Sequence, residues 1–306
     1  MKVSVVVPVY NAERSIADLV REVRAALAGH DLEIVLVNDG SRDGSDAICE
    51  KLARETAGVR YLCLRRNFGE HNAVMCGLNH ATGDFIAIID DDFQNPPAEI
   101  PALLQEAQKG YDVVYSRYTD KKHSWFRNFG SRFNDFFATR LLGKPPDLYL
   151  SSFKVIRKEV VDEIVKYKGP FPYIDGLILR ATDQIGTALV SHRDRRVGKS
   201  NYTLIKLVQL YMNMFFNFSI VPLRIFTFGG FLVFVTGAVF TAAFITEKLL
   251  HPEIPVGWTS LITAILTLSG FQVMFLGLIG EYLGKQYLDQ NKTPQWVIRK
   301  EILKKD

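Results

Sequence analysis

The apolar residues of the first 116 positions fall into short runs rich in Val, Ile and Leu. These runs are KVSVVVPV, LEIVLVND, VRYLCLRR, DFIAIIDD and YDVVYS. Helical patterning occupies the stretches between them, at about 13–28, 43–57, 70–81 and 97–109. Strands that are apolar on both faces and alternate with helices are typical of a parallel sheet covered on both sides. The sequence therefore predicts an α/β domain with a mainly parallel sheet over about residues 1–200.

The pattern changes in the last third of the chain, where long stretches carry no charge. Residues 225–246 form one such stretch, and a second lies at about 256–280. A helix of 22 residues is about 33 Å long, enough to cross the hydrocarbon core of a bilayer. Positive charge before the first stretch and after the second predicts a hairpin of two membrane spans with both ends cytoplasmic. A pair of buried core helices is the alternative.

Two other segments are patterned like helices that lie on a membrane surface. Polar residues recur at helical spacing among Leu, Met and Phe in residues 203–218, so we predict an interfacial helix within 201–223. Residues 125–142 set Trp and Phe residues against Arg, Ser and Asp residues in the same way. For this second segment, an ordinary amphipathic helix on a soluble core is an equal alternative.

Charge and cysteine content indicate which surfaces the chain contacts and which cellular compartment it occupies. The chain has 306 residues and a net charge of +4, and the segment 283–306 is a basic tail that suits an anionic membrane surface better than a nucleic acid. Cys49, Cys63 and Cys76 show no C-x-x-C spacing and predict neither disulfides nor a zinc site. The N-terminus enters a strand pattern without a signal peptide, so the α/β domain is expected in the cytoplasm.

Three consecutive carboxylates, Asp90, Asp91 and Asp92, directly follow the fourth apolar run. Adjacent anions at a buried strand end repel one another and resist desolvation, and a hard cation with oxygen ligands relieves both effects. Because side chains alternate along an extended chain, Asp90, Asp92 and Gln94 can share one Mg²⁺ or Mn²⁺ ion. A solvated acidic turn before a proline-initiated helix is the alternative.

Polar residues also follow the other apolar runs, at the strand ends where α/β sheets bind ligands. They include Pro8, Tyr10 and Asn11, then Asn38, Asp39 and Gly40, then Arg65, Arg66 and Asn67. Neither G-x-G-x-x-G nor G-x-x-x-x-G-K-[ST] occurs, which disfavours a dinucleotide site and a P-loop.

The motifs PVYNAE, VNDGSRDGS, RNFGEHNAVMCGL, DDDFQNPPAEIP and GYDVV follow one another in a familiar order and spacing. In these motifs the chain resembles family 2 glycosyltransferases, which have the GT-A fold. The predicted spans and RVGKSNY make it similar to the polyisoprenyl-phosphate glycosyltransferases in particular. The resemblance implies an NDP-sugar donor, with UDP favoured, undecaprenyl phosphate as acceptor, and inversion at the sugar. It further implies Mg²⁺ or Mn²⁺, a homo-oligomer such as a tetramer, and the inner membrane of a bacterium.

The resemblance assigns roles to individual positions. The implied metal ligands are Asp90, Asp92 and Gln94. The residues implied to bind the nucleotide part of the donor are Pro8, Tyr10, Glu13, Asp39 and Asp91. Arg195 and Ser200 are implied to hold the donor diphosphate. The alternatives are an N-cap or Asx turn at Asp39 and lipid-headgroup binding at Arg195.

The implied acceptor is a lipid monophosphate, which is largely dianionic at neutral pH and needs no protein base. Fixed cations are needed instead. Arg117, Arg127 and Ser131 match the residues that contact the acceptor phosphate in the family. Together with Asp90 and Asp92 they form the implied catalytic set. Arg127 and Ser131 are four residues apart and face the same way on a helix. An arginine that snorkels from an interfacial helix is the alternative for Arg127.

The segment LSSFKVIRK departs from relatives, which often carry an aspartate or a Ser-Gly pair and frequently an arginine there. It is expected to line the sugar through Ser151, Ser152 and Lys154. Asp175 could contact the sugar or activate the acceptor, but a plain aspartate on a helix surface is the favoured interpretation. The rival functions are a processive polysaccharide synthase, which would need more spans, and a silent membrane scaffold that binds nucleotides.

Overall fold

A computed structural model describes residues 1–118, 144–145, 148–191, 221–251 and 257–303 of the chain. The chain divides into two compact units. The first comprises Met1–Leu207 and Lys292–Asp306, and the second comprises Val208–Asn291. A mixed sheet forms the first unit, and two long helices form the second.

The first unit alternates strands and helices as the apolar pattern predicts. Its strands are β1 (Lys2–Val9), β2 (Asp31–Asn38), β3 (Val59–Leu64), β4 (Phe85–Ile88), β5 (Val113–Tyr118), β6 (Lys154–Arg157), β7 (Ile185–Val190) and β8 (Ile298–Leu303). Its helices are α1 (Ile16–Ala26), α2 (Ser45–Glu55), α3 (Glu70–His80), α4 (Ile100–Ala107), α5 (Lys158–Ile164) and α6 (Ile174–Ala181), and a 3-10 turn spans Pro97–Glu99. The strands and helices predicted over residues 1–116 are confirmed, with ends that shift by a few residues.

The strands form one sheet in the order β7-β5-β6-β4-β1-β2-β3-β8. β1 pairs in parallel with β2 and β4, β2 with β3, and β5 with β7. β6 runs antiparallel between β4 and β5, and β8 runs antiparallel along β3. Because β1, β2, β3 and β4 are parallel, their carboxyl ends meet at one edge of the sheet.

The helices cover both faces of this sheet. On one face, Val5, Val7 and Ala87 belong to a core that includes Ile16 of α1 and Leu103 of α4. On the other face α3 lies unusually close to β1, since a Cβ at Gly77 would lie 2.3 Å from Val6 Cγ1. α3 follows β3, so the helix begins at the carboxyl edge of the sheet.

The C-terminal strand corrects the prediction of a basic tail over residues 283–306. Ile298–Leu303 pairs with β3, and its residues alternate between half-buried and exposed positions. Two of its basic side chains bond acidic residues of α2: Arg299 lies 2.6 Å from Asp46, and Lys300 lies 2.5 Å from Glu50. At these two positions, the positive charge that suggested a membrane-facing tail therefore forms ion pairs inside the α/β unit.

The second unit contains α7 (Val221–Leu250) and α8 (Trp258–Gln290), which have 30 and 33 residues. α7 includes the first uncharged stretch and α8 includes residues 258–280 of the second, so two long helices are confirmed. Over the residues described here, no helix is both long enough and apolar enough to cross a membrane. The predicted helices at 125–142 and 203–218 lie outside the described residues.

Candidate active site

The three consecutive carboxylates form a turn directly after β4. Asp90, Asp91 and Asp92 are all half-buried. Asp92 Oδ1 accepts a hydrogen bond of 3.0 Å from the Gln94 backbone N–H, which closes the turn. Between these two residues, Phe93 is buried with a φ of 60°, in the left-handed region that non-glycine residues rarely adopt. Residues held in that region are common at functional sites, so the acidic turn is a candidate for one.

Asp90 and Asp91 contact different strands. The Tyr10 backbone N–H donates to Asp91 Oδ2 at 3.4 Å, at the end of β1. The Ser152 hydroxyl donates to Asp90 Oδ2 at 2.5 Å, just before β6. Burial raises the pKa of Asp90 to about 7, and the Glu70 carboxylate adds to this effect, whereas the Ser152 hydrogen bond opposes it. The carboxylates of the turn thus repel one another, and a bound cation would relieve that repulsion.

Asp39 shapes the loop between β3 and α3. Its two carboxylate oxygens accept hydrogen bonds from the backbone N–H groups of Phe68 at 2.7 Å and Gly69 at 2.8 Å. Burial raises the pKa of Asp39, and these two donors act in the opposite direction. The next residue, Gly40, has a φ of 67°, and a Cβ there would lie 2.7 Å from the backbone at Arg66. The support that Asp39 gives to the β3–α3 loop was missed by sequence reasoning. The contact of Asp39 with a base or ribose stays a prediction.

Glu13 bonds the loop that leads into α2. Its Oε2 accepts from the Gly44 backbone N–H at 2.9 Å, and its own N–H donates to Asp43 Oδ2 at 3.1 Å. Pro8 is buried in β1, whereas the Tyr10 side chain is exposed. The structure therefore places Pro8, Tyr10 and Glu13 at or just after the carboxyl end of β1, and their contacts with a nucleotide stay predictions. Asp39 does not form the Asx turn considered for it: Asn38 Oδ1 accepts from the Ser41 N–H at 2.9 Å, and Asp43 Oδ1 accepts from the Ser45 N–H at 3.1 Å.

Of the residues implied to hold the two phosphates, Arg117 is described. It is exposed near the end of β5, where it pairs in register with Leu189 of β7. Arg127, Ser131, Arg195 and Ser200 lie outside the described residues. Their roles remain predictions.

Sequence reasoning missed a buried polar cluster that includes Asp175. This residue, at the start of α6, is buried, so its interpretation as a surface aspartate is wrong. Asp175 Oδ1 accepts a hydrogen bond of 2.9 Å from the Tyr115 hydroxyl and forms an ion pair with Lys154. Nearby, the rings of His71 and Tyr173 pack edge to face at 5.4 Å, and burial lowers the pKa of His71. Asp175 was misread because a carboxylate in the first turn is common on exposed helices.

The donor set of the acidic turn suits a magnesium-like ion. Within the described ranges, no group of three or more His, Cys, Asp or Glu side chains could hold a metal ion by itself. Mg²⁺ is commonly bound through one or two carboxylates, with substrate phosphates and water completing its shell. Asp90 and Asp92 supply two carboxylates at one turn, and Gln94 supplies an amide oxygen. These residues therefore fit an ion that is shared with a diphosphate.

A mostly parallel mixed sheet with a D-x-D turn after its fourth strand defines a GT-A glycosyltransferase domain. The fold is similar to that of glucosyl-3-phosphoglycerate synthase from Mycobacterium tuberculosis, solved in complex with Mn²⁺, UDP and glucosyl-3-phosphoglycerate. The TM-score is 0.52 and the identity 20%, over 69% of this chain and 76% of that one. Residues 4–165 match the family model of glycosyl transferase family 2, and residues 221–285 match the GtrB C-terminal hairpin. The chain belongs to glycosyltransferase family 2.

Similar proteins extend over nearly the whole chain. An undecaprenyl-phosphate 4-deoxy-4-formamido-L-arabinose transferase from Enterobacter sp. (strain 638) is 32% identical over 98% of this chain and 94% of that protein. The protein of the same name from Proteus mirabilis (strain HI4320) is 33% identical, with the same coverage. The enzyme class and family expected from the motifs are therefore confirmed.

Proposed function

We propose that this glycosyltransferase transfers a sugar from a UDP-sugar to undecaprenyl phosphate, with inversion at the anomeric carbon. The observation that carries the proposal is the acidic turn of Asp90 and Asp92 in a chain that matches undecaprenyl-phosphate sugar transferases over 98% of its length. The UDP and Mn²⁺ bound by a protein of the same fold support the choice of nucleotide and ion.

The geometry suggests how the donor is held. Asp90, Asp92 and Gln94 would hold Mg²⁺ or Mn²⁺, which neutralises charge on the departing diphosphate. The exposed Tyr10 ring and the buried Pro8 would border the nucleotide, and Asp39 would keep the β3–α3 loop in place beside it. We also assign Glu13 and Asp91 to this donor side, where they fix the loops through backbone contacts.

The acceptor phosphate needs cations rather than a base. In the proposed step, its oxygen forms a bond to the anomeric carbon while the bond from that carbon to the donor diphosphate breaks, and UDP leaves with the electron pair. Arg117, Arg127 and Ser131 would hold the acceptor phosphate, and Arg195 and Ser200 would hold the donor diphosphate. Arginine suits these positions because its planar guanidinium can bind phosphate through two hydrogen bonds.

We further propose that the hairpin of α7 and α8 anchors the enzyme in the bacterial inner membrane. The match to the GtrB C-terminal hairpin supports this. Large apolar side chains of both helices, such as Phe228 and Leu261, are also exposed. In this proposal the spans lie at about 225–246 and 256–280, and the α/β domain and both termini are cytoplasmic. Interfacial helices at 125–142 and 201–223 and a homo-oligomer remain predictions.

The proposal can be tested with the full-length protein purified in detergent. UDP-sugars are screened with undecaprenyl phosphate, and the lipid product is identified by mass spectrometry. EDTA should abolish the product. Asp92→Asn should lower the rate by about 100-fold or more, because it weakens the binding of the ion that would stabilise the leaving diphosphate. Asp162→Asn, an exposed carboxylate on α5, serves as the matched control. Lipid product that is insensitive to EDTA, or an unaffected Asp92→Asn variant, would overturn the proposal.

A further inference from the structure

Ser152 meets Asp90 because of the way in which β6 pairs with β4. The antiparallel register pairs Phe85 with Arg157 and Ile88 with Lys154. When this register is continued by two residues, Asp90 falls opposite Ser152. The observed hydrogen bond, 2.5 Å from Ser152 Oγ to Asp90 Oδ2, lies at that position. The contact is therefore a continuation of the sheet into the acidic turn.

The residue before Ser152 is fixed by a network of hydroxyl groups. Ser151 is buried, and its Oγ accepts from Ser116 Oγ at 2.7 Å and lies 3.0 Å from the Tyr118 hydroxyl. Tyr118 in turn donates to Asn95 Oδ1 at 2.6 Å. Asn95 is buried three residues after Asp92, so this network joins the approach to β6 to the far end of the acidic turn.

Lys154, two positions after Ser152, is held in place by an ion pair. Lys154 forms the buried ion pair with Asp175, and its ammonium lies 5.0 Å from the centre of the Tyr115 ring. Breaking a buried ion pair is costly because it leaves a charge without a partner. Ser152 therefore sits between two anchored residues, Ser151 and Lys154, yet it is itself exposed.

We propose that Ser152 is a positioning residue of the metal site: its hydroxyl fixes Asp90 through Oδ2, so that Oδ1 remains for the divalent ion. This inference rests on the proposed function, which assigns an ion to Asp90. Residues that orient a metal ligand through a hydrogen bond commonly change metal affinity by 10–100-fold when they are replaced. A hydroxyl held in place by the sheet is suited to that task.

The test compares two neighbouring serines in the full-length protein. Mn²⁺ binding is measured from the EPR signal of the free ion, with and without saturating UDP, and needs no turnover. Ser152→Ala should weaken Mn²⁺ binding by about tenfold or more with an unchanged unfolding temperature. Ser152→Thr, which keeps the hydroxyl, should bind Mn²⁺ like the wild type. Ser151→Ala should lower the unfolding temperature and weaken Mn²⁺ binding clearly less than Ser152→Ala does, because Ser151 bonds the network and not Asp90.

The outcomes separate this inference from the proposed function. Wild-type Mn²⁺ affinity in Ser152→Ala would overturn the positioning role, as would a Ser152→Thr variant as weak as Ser152→Ala. An equal loss of affinity in Ser151→Ala would also overturn it, because the effect would then come from the strand as a whole. A wild-type protein that binds Mn²⁺ with UDP but forms no lipid product would overturn the proposed function alone.

Discussion

The two sides of the sheet's carboxyl edge use their polar side chains differently. At the ends of β1 and β2, the carboxylates of Asp39 and Glu13 accept hydrogen bonds from backbone N–H groups of neighbouring loops. At the end of β4 and the start of β6, the carboxylates of Asp90 and Asp175 accept from side chains, namely Ser152, Tyr115 and Lys154. The first side thus fixes the shape of the loops, and the second fixes the positions of charged groups.

The largest effect should come from breaking the charged pair on the β4–β6 side. Lys154→Met leaves Asp175 buried without its cation, which should lower the free energy of unfolding by about 3–5 kcal/mol. Denaturant unfolding measures this loss. The double variant Lys154→Met with Asp175→Leu should recover most of it, since neither charge then remains buried. An equal loss in the single and double variants would show that packing, and not charge, is responsible.

A smaller effect is expected on the β1–β2 side from Asp39→Asn. The amide NH2 of the new side chain would face one of the two backbone N–H groups, which then lacks an acceptor. A buried polar group without a partner costs about 1–3 kcal/mol, so the free energy of unfolding should fall by that amount. UDP affinity, measured by calorimetry, should fall as well, because the β3–α3 loop loses its support. Glu13→Gln at an exposed site should change stability by at most about 0.5 kcal/mol. A larger loss in Glu13→Gln than in Asp39→Asn would contradict this account of the loops.

An effect on pH dependence is expected from Glu33, at the amino edge of the sheet and away from the candidate site. Burial alone would raise the pKa of Glu33, but hydrogen bonds from Ser4 and Thr82 and the charge of Arg60 hold it below its ordinary value. A depressed carboxyl pKa stabilises the fold above the unfolded-state pKa, and this stabilisation is lost as the pH falls through the folded-state pKa. Glu33→Gln should therefore flatten the acid side of a plot of unfolding free energy against pH. Parallel plots for the two proteins would contradict the prediction.

Local pattern was enough to predict β1 to β5 and α1 to α4, because each strand is a continuous apolar run and each helix has its own periodicity. β6 was not predicted, since its four residues KVIR become a strand only by pairing with β4 and β5. Asp175 was misread for a similar reason: its partners are 21 residues away at Lys154 and 60 residues away at Tyr115. The acidic turn could be found from sequence because its three carboxylates are adjacent.

The return of β8 to the sheet has a practical meaning for anyone who wishes to shorten this protein. Cutting the chain before α7 would delete β8 together with the hairpin and bare the outer edge of β3, which invites pairing with other molecules. A truncated enzyme would keep that edge protected only if residues 292–303 were rejoined to the α/β domain by a linker in place of the two helices.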